Sequence, residues 1–392
     1  MPLTVRSILY DASKKTIGMV ESAVKNGDTS VNAVLTIQNP RLWNSRQDPY
    51  LYKIVTQLRE QGKVVDEVEQ PLGLRYYRVS SDSGLFLNGR YLDLYGFGLH
   101  EDVAGKGSAM SRGDFKKDID LVLETGANAL RFTHYPHSGE MYRLADSSGI
   151  ILWSEIPLVG PGGYTGTGYM ASASLQHQAR QLMIEMIRQN YNHPSVFFWG
   201  LFNELKLDYD NPIPFLEELN ALAKNEDPSR LTTCASFLDN DQFNHVSDLI
   251  AWNKYYGWYG GKFSDIGPWA DKLHHQFPRK PIAISEYGAG AALPNMPIHY
   301  WHLFLPESFT LKNGRPLFMK HIGKRWQKGL ISGVSTSGCW LILDLLYAQK
   351  GSAMALMIRD WLPTTGSLKK MLFLLQSQLE FFTNDTYYSK EI

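Results

Sequence analysis

The chain has 392 residues, and its 39 acidic side chains balance its 39 basic ones, so the formal net charge is zero. A chain of this length can bury a large core and more than one domain, and an α/β barrel alone takes about 250 residues. Balanced charge provides no field that would steer the protein toward nucleic acid or anionic lipid, so we expect a neutral small ligand and neither of those partners.

The chain carries no recognisable export or membrane signal. The first residues lack a charged segment followed by a long apolar run, and no stretch reaches about 18 uninterrupted apolar residues. We therefore predict a cytoplasmic protein, with a homo-oligomer left open. Because the chain starts in strand-like sequence, we also expect a region upstream of it.

Residues 1–84 consist of short runs in which polar and apolar side chains alternate. Runs 31–37 and 51–58 have a period of two, and turn residues such as Gln61-Gly62 separate them from their neighbours. This spacing is typical of an antiparallel sandwich. We predict a small immunoglobulin-like β-sandwich domain here.

After a hairpin-like turn at Asn88-Gly89, strand-like segments alternate with helix-like ones. The strand candidates are 92–99, 129–132, 150–156, 196–202, 231–235, 249–254, 282–285 and 331–336. The helix candidates are 112–125, 139–147, 172–190 and 214–224. Eight strands with helices between most of them predict an α/β fold, a (β/α)8 TIM barrel over residues 85–345. Its active face is where the carboxyl ends of the strands meet.

Two of the predicted strands end in a glutamate. The apolar run 196–202 is followed by Asn203 and Glu204, and the run 282–285 is followed by Glu286. Two carboxyl groups at the tips of buried parallel strands can converge over one pocket, one neutral as an acid and one ionised as a nucleophile. The other tips present His100, Glu101, His134, Tyr135, Glu155, the segment 253–256 and Trp340.

Two longer motifs resemble the signatures of family-two glycoside hydrolases, which include β-galactosidases, β-glucuronidases and β-mannosidases. They are residues 128–136 and 190–204, with Phe132 in place of the small residue usual there. Shorter matches occur in the same order at 96–101, 253–259 and 285–288. The resemblance covers roughly residues 40–340.

Position by position, the resemblance implies that Glu204 is the acid/base and Glu286 the nucleophile of a retaining mechanism, which needs carboxyl groups about 5–5.5 Å apart. It implies that Asn203 donates to the sugar 2-hydroxyl. It also implies that Arg131 and Tyr255 hold Glu286 ionised, because a nearby cation and a hydrogen bond both favour the charged form.

Other residues have less defined roles. His100, His134 and Trp340 resemble sugar-pocket residues, and Glu155 either contacts the sugar or pairs with a nearby arginine. Some β-galactosidases of the family hold magnesium through a Glu and a His shortly after the third strand, but residues 158–162 contain neither. We predict no metal and no other cofactor.

The sequence departs from the family at both ends. Family members begin with a sugar-binding β-domain, so we expect this chain to start inside the second domain. After Trp340, residues 356–366 can be encoded so that a one-base shift spells a family-like stretch. We predict that the chain is out of frame from about residue 341, that residues 346–392 form an atypical tail, and that order is low after about residue 345.

The motifs together predict a retaining exo-β-glycosidase that acts on a terminal β-linked sugar of a small molecule or oligosaccharide. The main prediction is a β-galactosidase, because the Asn-x-Lys motif with which glucuronidases bind the sugar carboxylate is not found beyond Trp340. The alternatives are a β-glucuronidase, a β-mannosidase, and a truncated, inactive relative that binds carbohydrate.

Overall fold

The computed structural model describes residues 3–94, 96–103, 106–160, 172–207, 210–239, 242–257 and 259–287, together with the short strand Asp344–Leu345. The chain has the predicted α/β fold, in which a parallel TIM barrel follows a small antiparallel β-sandwich domain. In the described ranges, every helix falls short of the length and apolar character that a membrane span needs.

The N-terminal domain is built on a four-stranded antiparallel sheet with the order β2-β1-β3-β4. Its strands are β1 (Leu3–Tyr10), β2 (Thr16–Val24), β3 (Tyr52–Glu60) and β4 (Lys63–Leu72). β3 and β4 are joined at the predicted turn residues Gln61 and Gly62, whose φ angles of 49° and 81° are those of a two-residue hairpin turn.

The predicted strand at residues 31–37 is absent, and this segment runs without regular structure. Val34 is 86% exposed. Leu35 instead packs over β2, where a Cβ on Gly18 would lie 2.8 Å from the Leu35 Cδ1. The prediction is wrong here because only Val31, Leu35 and Ile37 are partly buried, and side-chain packing accommodates them without backbone pairing.

A second, three-stranded antiparallel sheet follows in the chain. It consists of β5 (Tyr77–Ser80), β6 (Gly84–Leu87) and β7 (Arg90–Tyr91). Asn88 and Gly89 join β6 to β7 with φ angles of 52° and 81°, so the predicted hairpin turn is confirmed.

The barrel contributes seven parallel strands in sequence order, with β15 antiparallel beside the last of them. The strands are β8 (Gly96–Leu99), β9 (Ala129–Phe132), β10 (Ile151–Glu155), β11 (Val196–Asn203), β12 (Leu231–Ser236), β13 (Ile250–Asn253), β14 (Ile282–Glu286) and β15 (Asp344–Leu345). The helices are α1 (Arg112–Glu124), α2 (Gly139–Ser148), α3 (Ala173–Asn190), α4 (Ile213–Glu226) and α5 (Ile266–Gln276). The predicted strand 331–336 and the predicted tail, residues 346–392, lie outside the described residues.

The core has two layers, and the inner layer determines which end of the barrel is open to a ligand. The outer layer packs the helices on the barrel strands. In the inner layer, Trp43 and Leu85 from the preceding segments pack with Ile151, Phe197 and Leu249, which lie at or beside the starts of their strands. Because the amino ends of the strands are covered in this way, the carboxyl ends remain for a site.

Candidate active site

Arg131 is the cation at the centre of the site, and it is fully buried on β9. Its Nη1 donates to Glu286 Oε1 at 2.8 Å, its Nη2 donates to Asn203 Oδ1 at 2.9 Å, and its Nε donates to Glu155 Oε2 at 2.8 Å. The guanidinium also lies over the Trp153 ring, 4.5 Å from its centroid. One rigid, donor-only group therefore sets the positions of three side chains from three other strands.

Glu155 lies at the end of β10 and is fully buried. Its Oε1 accepts from His134 Nδ1 at 2.7 Å and from Arg131, and its Oε2 accepts from Arg131 as well. Burial opposes ionisation, but Arg131 and His134 outweigh it and hold the pKa of Glu155 below its usual value. Both oxygens are thus occupied by protein donors.

Gly200 makes room for this pair in the barrel interior. A Cβ at Gly200 would lie 2.3 Å from both the Glu155 Cβ and the Trp153 Nε1. Only glycine fits this position of β11, which explains why the aromatic run of that strand is interrupted there.

Glu286 lies at the end of β14 with 3% of its surface exposed. Besides the bond from Arg131, its Oε2 accepts a 2.6 Å hydrogen bond from the Tyr255 hydroxyl. Each carboxylate oxygen therefore faces a donor, and one of the two donors is a cation.

Glu204 has a different environment at the end of β11. It follows the strand with a φ of 53°, a left-handed conformation that costs a non-glycine residue about 1–2 kcal/mol. Its half-buried side chain accepts from Asn253 Nδ2 at 2.7 Å through Oε1. Burial raises the pKa of Glu204, the hydrogen bond from Asn253 opposes this, and the charge of Glu286 raises the pKa further.

Asn203 connects the two glutamates. Its Oδ1 accepts from Arg131 and from Asn253 Nδ2, the latter at 3.2 Å. With its oxygen committed to the protein, its amide NH2 is the group that can donate to a ligand.

The histidines lie beside this cluster. His134 contacts Glu155, whereas the His100 ring lies 5.4 Å from that of His134 and its Nδ1 lies 3.4 Å from the Tyr135 hydroxyl. Burial lowers the pKa of His100, and the neighbouring His134 lowers it further. His100 is thereby linked to the cluster through His134 and Tyr135.

Two residues of the site, Asn253 and Ser285, have no assigned role in the sequence prediction. The position of Asn253 at a strand tip was the only signal for it, and Ser285 lies one residue before Glu286. Trp340 lies outside the described residues. Among the residues that the structure describes, no group of three or more His, Cys, Asp or Glu side chains could hold a metal ion.

The comparisons with known proteins show the family of this chain. Residues 79–310 match the model for glycosyl hydrolases family 2, TIM barrel domain, and residues 2–75 match the model for glycosyl hydrolases family 2. The first match alone covers more than half of the 392 residues. The chain therefore belongs to glycosyl hydrolases family 2, the family that its motifs predicted.

The names of individual relatives specify an enzyme activity within the family. A Beta-glucuronidase of Bacteroides fragilis is 49% identical over 259 residues, which are 66% of this chain and 37% of that protein. A solved Bacteroides fragilis structure, provisionally named a beta-galactosidase, is 32% identical with a TM-score of 0.70 and covers 83% of this chain and 47% of that one. Bacteroides uniformis beta-glucuronidase 2, covalently bound to cyclophellitol-6-carboxylate aziridine, is 27% identical with a TM-score of 0.69 and covers 78% and 39%. The chain spans less than half the length of each of these proteins.

Proposed function

We propose that the protein is a retaining exo-β-glycosidase in which Glu204 is the acid/base and Glu286 the nucleophile. The contrast between the environments of these two side chains carries the proposal. Burial raises the pKa of Glu204, whereas Glu286 accepts hydrogen bonds from Arg131 and Tyr255. One carboxyl group is thereby suited to hold a proton and the other to carry a negative charge.

The reaction follows from these two states. Glu286 attacks the anomeric carbon while Glu204 gives its proton to the glycosidic oxygen, so the aglycone leaves as a neutral alcohol and a glycosyl-enzyme ester forms. Glu204, now ionised, then takes a proton from a water molecule whose oxygen attacks the same carbon. This second step releases the sugar with retained configuration and returns both carboxyl groups to their starting states.

For the sugar, we propose a β-glucuronide in preference to the β-galactoside of the main sequence prediction. The 49% identical relative is named a Beta-glucuronidase, and the Bacteroides uniformis enzyme binds an inhibitor with a 6-carboxylate. The structural neighbour named a beta-galactosidase supports the β-galactoside as the second candidate.

The test is turnover of the nitrophenyl β-glucuronide, β-galactoside and β-mannoside. We expect the highest kcat/KM on the glucuronide and a loss of about 10³-fold or more in Glu286→Gln. Glu218→Gln is the matched control, since Glu218 lies on the outer helix α4 and pairs with Arg180 of α3. A folded protein that turns over none of the three sugars would support the inactive, carbohydrate-binding alternative instead.

Covalent labelling tests the assignment of the nucleophile directly. Cyclophellitol-6-carboxylate aziridine is expected to add one adduct per chain, located on Glu286 by peptide mass spectrometry and absent in Glu286→Gln. An adduct on another residue would show that the nucleophile is misassigned.

A further inference from the structure

A continuous chain of hydrogen bonds joins the two catalytic candidates. It runs from Glu286 through Arg131 to Asn203, and then through Asn253 to Glu204. Asn253 has 4% of its surface exposed and lies two barrel strands away from β11, with β12 between. The contacts therefore depend on the closure of the barrel and not on proximity in sequence.

The direction of this chain follows from chemistry alone. A guanidinium can only donate, so the atom of Asn203 that faces Arg131 is its oxygen. That oxygen can only accept, so the atom of Asn253 that faces it is the amide nitrogen. The same nitrogen lies 2.7 Å from Glu204 Oε1. Asn253 consequently presents a donor, and never an acceptor, to Glu204.

Ser285 completes the arrangement from the neighbouring strand. Its hydroxyl donates to Asn253 Oδ1 at 2.7 Å, and the serine is fully buried. The nitrogen and the oxygen of the Asn253 amide thereby both have hydrogen-bond partners. Rotation of the side chain would break these bonds, so they fix its orientation.

We propose that Asn253, held by Ser285, is a positioning residue that occupies Oε1 of Glu204 and so places the acid proton on Oε2. The proposal rests on the proposed function, since it assigns how that same acid/base is held. Oε1 accepts from Asn253 whether Glu204 is neutral or ionised, so the carboxyl group keeps its orientation while the proton leaves and returns.

Other ionisable groups near Glu204 lie on or just after β9 and β14. Glu286 raises the pKa of Glu204, while Arg131 and His134 lower it. Asn253 donates to the same carboxyl group and stabilises its ionised form. Removal of the Asn253 donor is therefore expected to raise the pKa of Glu204 with the charged neighbours unchanged.

The kinetic test compares two glycosides of one sugar, with a poor and an activated leaving group. We expect Asn253→Ala to lower kcat/KM about 10²-fold for the glycoside with the poor leaving group and less than about 3-fold for the activated one, because kcat/KM reports the first step, in which only the poor leaving group needs the proton. Glu204→Gln is expected to show the same preference. Ser285→Ala should show a smaller loss with the same preference. Thr233→Val is the matched control, because this hydroxyl is buried in the same barrel and makes no hydrogen bond within the described part of the chain.

A second measurement does not depend on turnover. In ¹³C-glutamate NMR, the carboxyl signal that disappears in Glu204→Gln is titrated in the wild type and in Asn253→Ala, and its midpoint should move to higher pH in the variant. If Asn253→Ala fails to fold, Asn253→Asp keeps the side-chain size and should move the midpoint further in the same direction.

The two proposals fail in different ways. Absence of any turnover together with a shifted titration would overturn the proposed function and leave the positioning contact standing. Normal turnover with an unmoved titration, or an equal loss on both leaving groups, would overturn the role of Asn253.

Discussion

At the scale of single residues, the central fact is that Arg131 is shared by two buried carboxylates, Glu155 and Glu286. A buried charge is costly unless it is paired, and Arg131 is paired with both Glu155 and the proposed nucleophile Glu286. Because both oxygens of Glu155 already accept hydrogen bonds from Arg131, and one of them from His134 as well, we propose that Glu155 orients Arg131 and does not bind the sugar.

Replacement of Glu155 by glutamine tests this assignment. Glu155→Gln keeps an oxygen for Arg131 but removes the charge, so Arg131 binds Glu286 more tightly and the nucleophile weakens. We expect kcat to fall about 10²-fold with little change in KM, and the free energy of unfolding to fall by about 1–3 kcal/mol near pH 7.

The stability difference should depend on pH in a defined direction. The pKa of Glu155 is lowered in the folded state, so its ionised form contributes stability above the ordinary glutamate pKa of about 4.3 and loses it as the pH falls further. Urea unfolding at pH 7 and pH 3 measures this, with exposed Glu217→Gln as the control. An unchanged kcat would contradict the assignment.

At the scale of elements, α1 contains a charged residue on its buried face. Asp118 is 6% exposed and lies on the same face as Phe115, Ile119 and Val122. Burial raises the pKa of Asp118 to about 7, with further contributions from nearby carboxylates. The N-terminus of α1 is nevertheless stabilised, because Ser111 and Asp114 form a capping box.

Asp118→Asn is therefore expected to stabilise the protein at pH 8. A raised carboxyl pKa means that the folded state loses stability as the pH rises from about 4, where the unfolded group ionises, to about 7. The variant avoids this loss and should be more stable by about 2 kcal/mol at pH 8, with no advantage near pH 4. Thermal unfolding at both values measures it, and the exposed Asp120→Asn should show no such trend. An equal effect at both pH values would show that ionisation is not the cause.

At the scale of the whole molecule, Trp43 joins the N-terminal region to the barrel. It is fully buried, its Nε1 donates to the Asp146 carbonyl oxygen at 2.8 Å, and its ring centroid lies 6.1 Å from that of Phe197. Arg75 adds hydrogen bonds to the carbonyl oxygens of Pro194 and Val196. These contacts cover the amino end of β11, the strand that carries Glu204 at its other end.

Trp43→Ala should cost about 3–5 kcal/mol of unfolding free energy, because it removes a large core side chain and leaves the Asp146 carbonyl without its donor. We expect the N-terminal domain to unfold before the barrel in the variant and together with it in the wild type. Urea unfolding followed by tryptophan fluorescence and by circular dichroism measures this. Tyr191→Ala, at a 47% exposed aromatic residue, is the control and should change stability by less than about 1 kcal/mol. Coincident transitions in Trp43→Ala would show that the two parts do not depend on this contact.

Part of the fold could be predicted from local pattern alone. Short apolar runs and helix-like segments identified seven strands and four helices of the described barrel, because burial on one or both faces imposes a recognisable period. Helix α5 was missed, although Ile266, Trp269, Ala270 and Leu273 have helical spacing and are buried. The opposite error occurs at residues 31–37, where a strand is predicted but the structure has none. Alternation shows which side chains can pack on one face, but not whether the backbone pairs with a neighbouring strand.

The sequence by itself determined the alternation of elements, the family motifs and the two glutamates that follow buried strands. Only the tertiary structure decided what distinguishes these glutamates, because the state of a carboxyl group depends on its burial and on neighbours from other strands. Arg131 and Tyr255 surround Glu286, whereas burial and Asn253 shape Glu204. Those contacts exist only when the barrel brings together residues that lie 31 to 155 positions apart in the sequence.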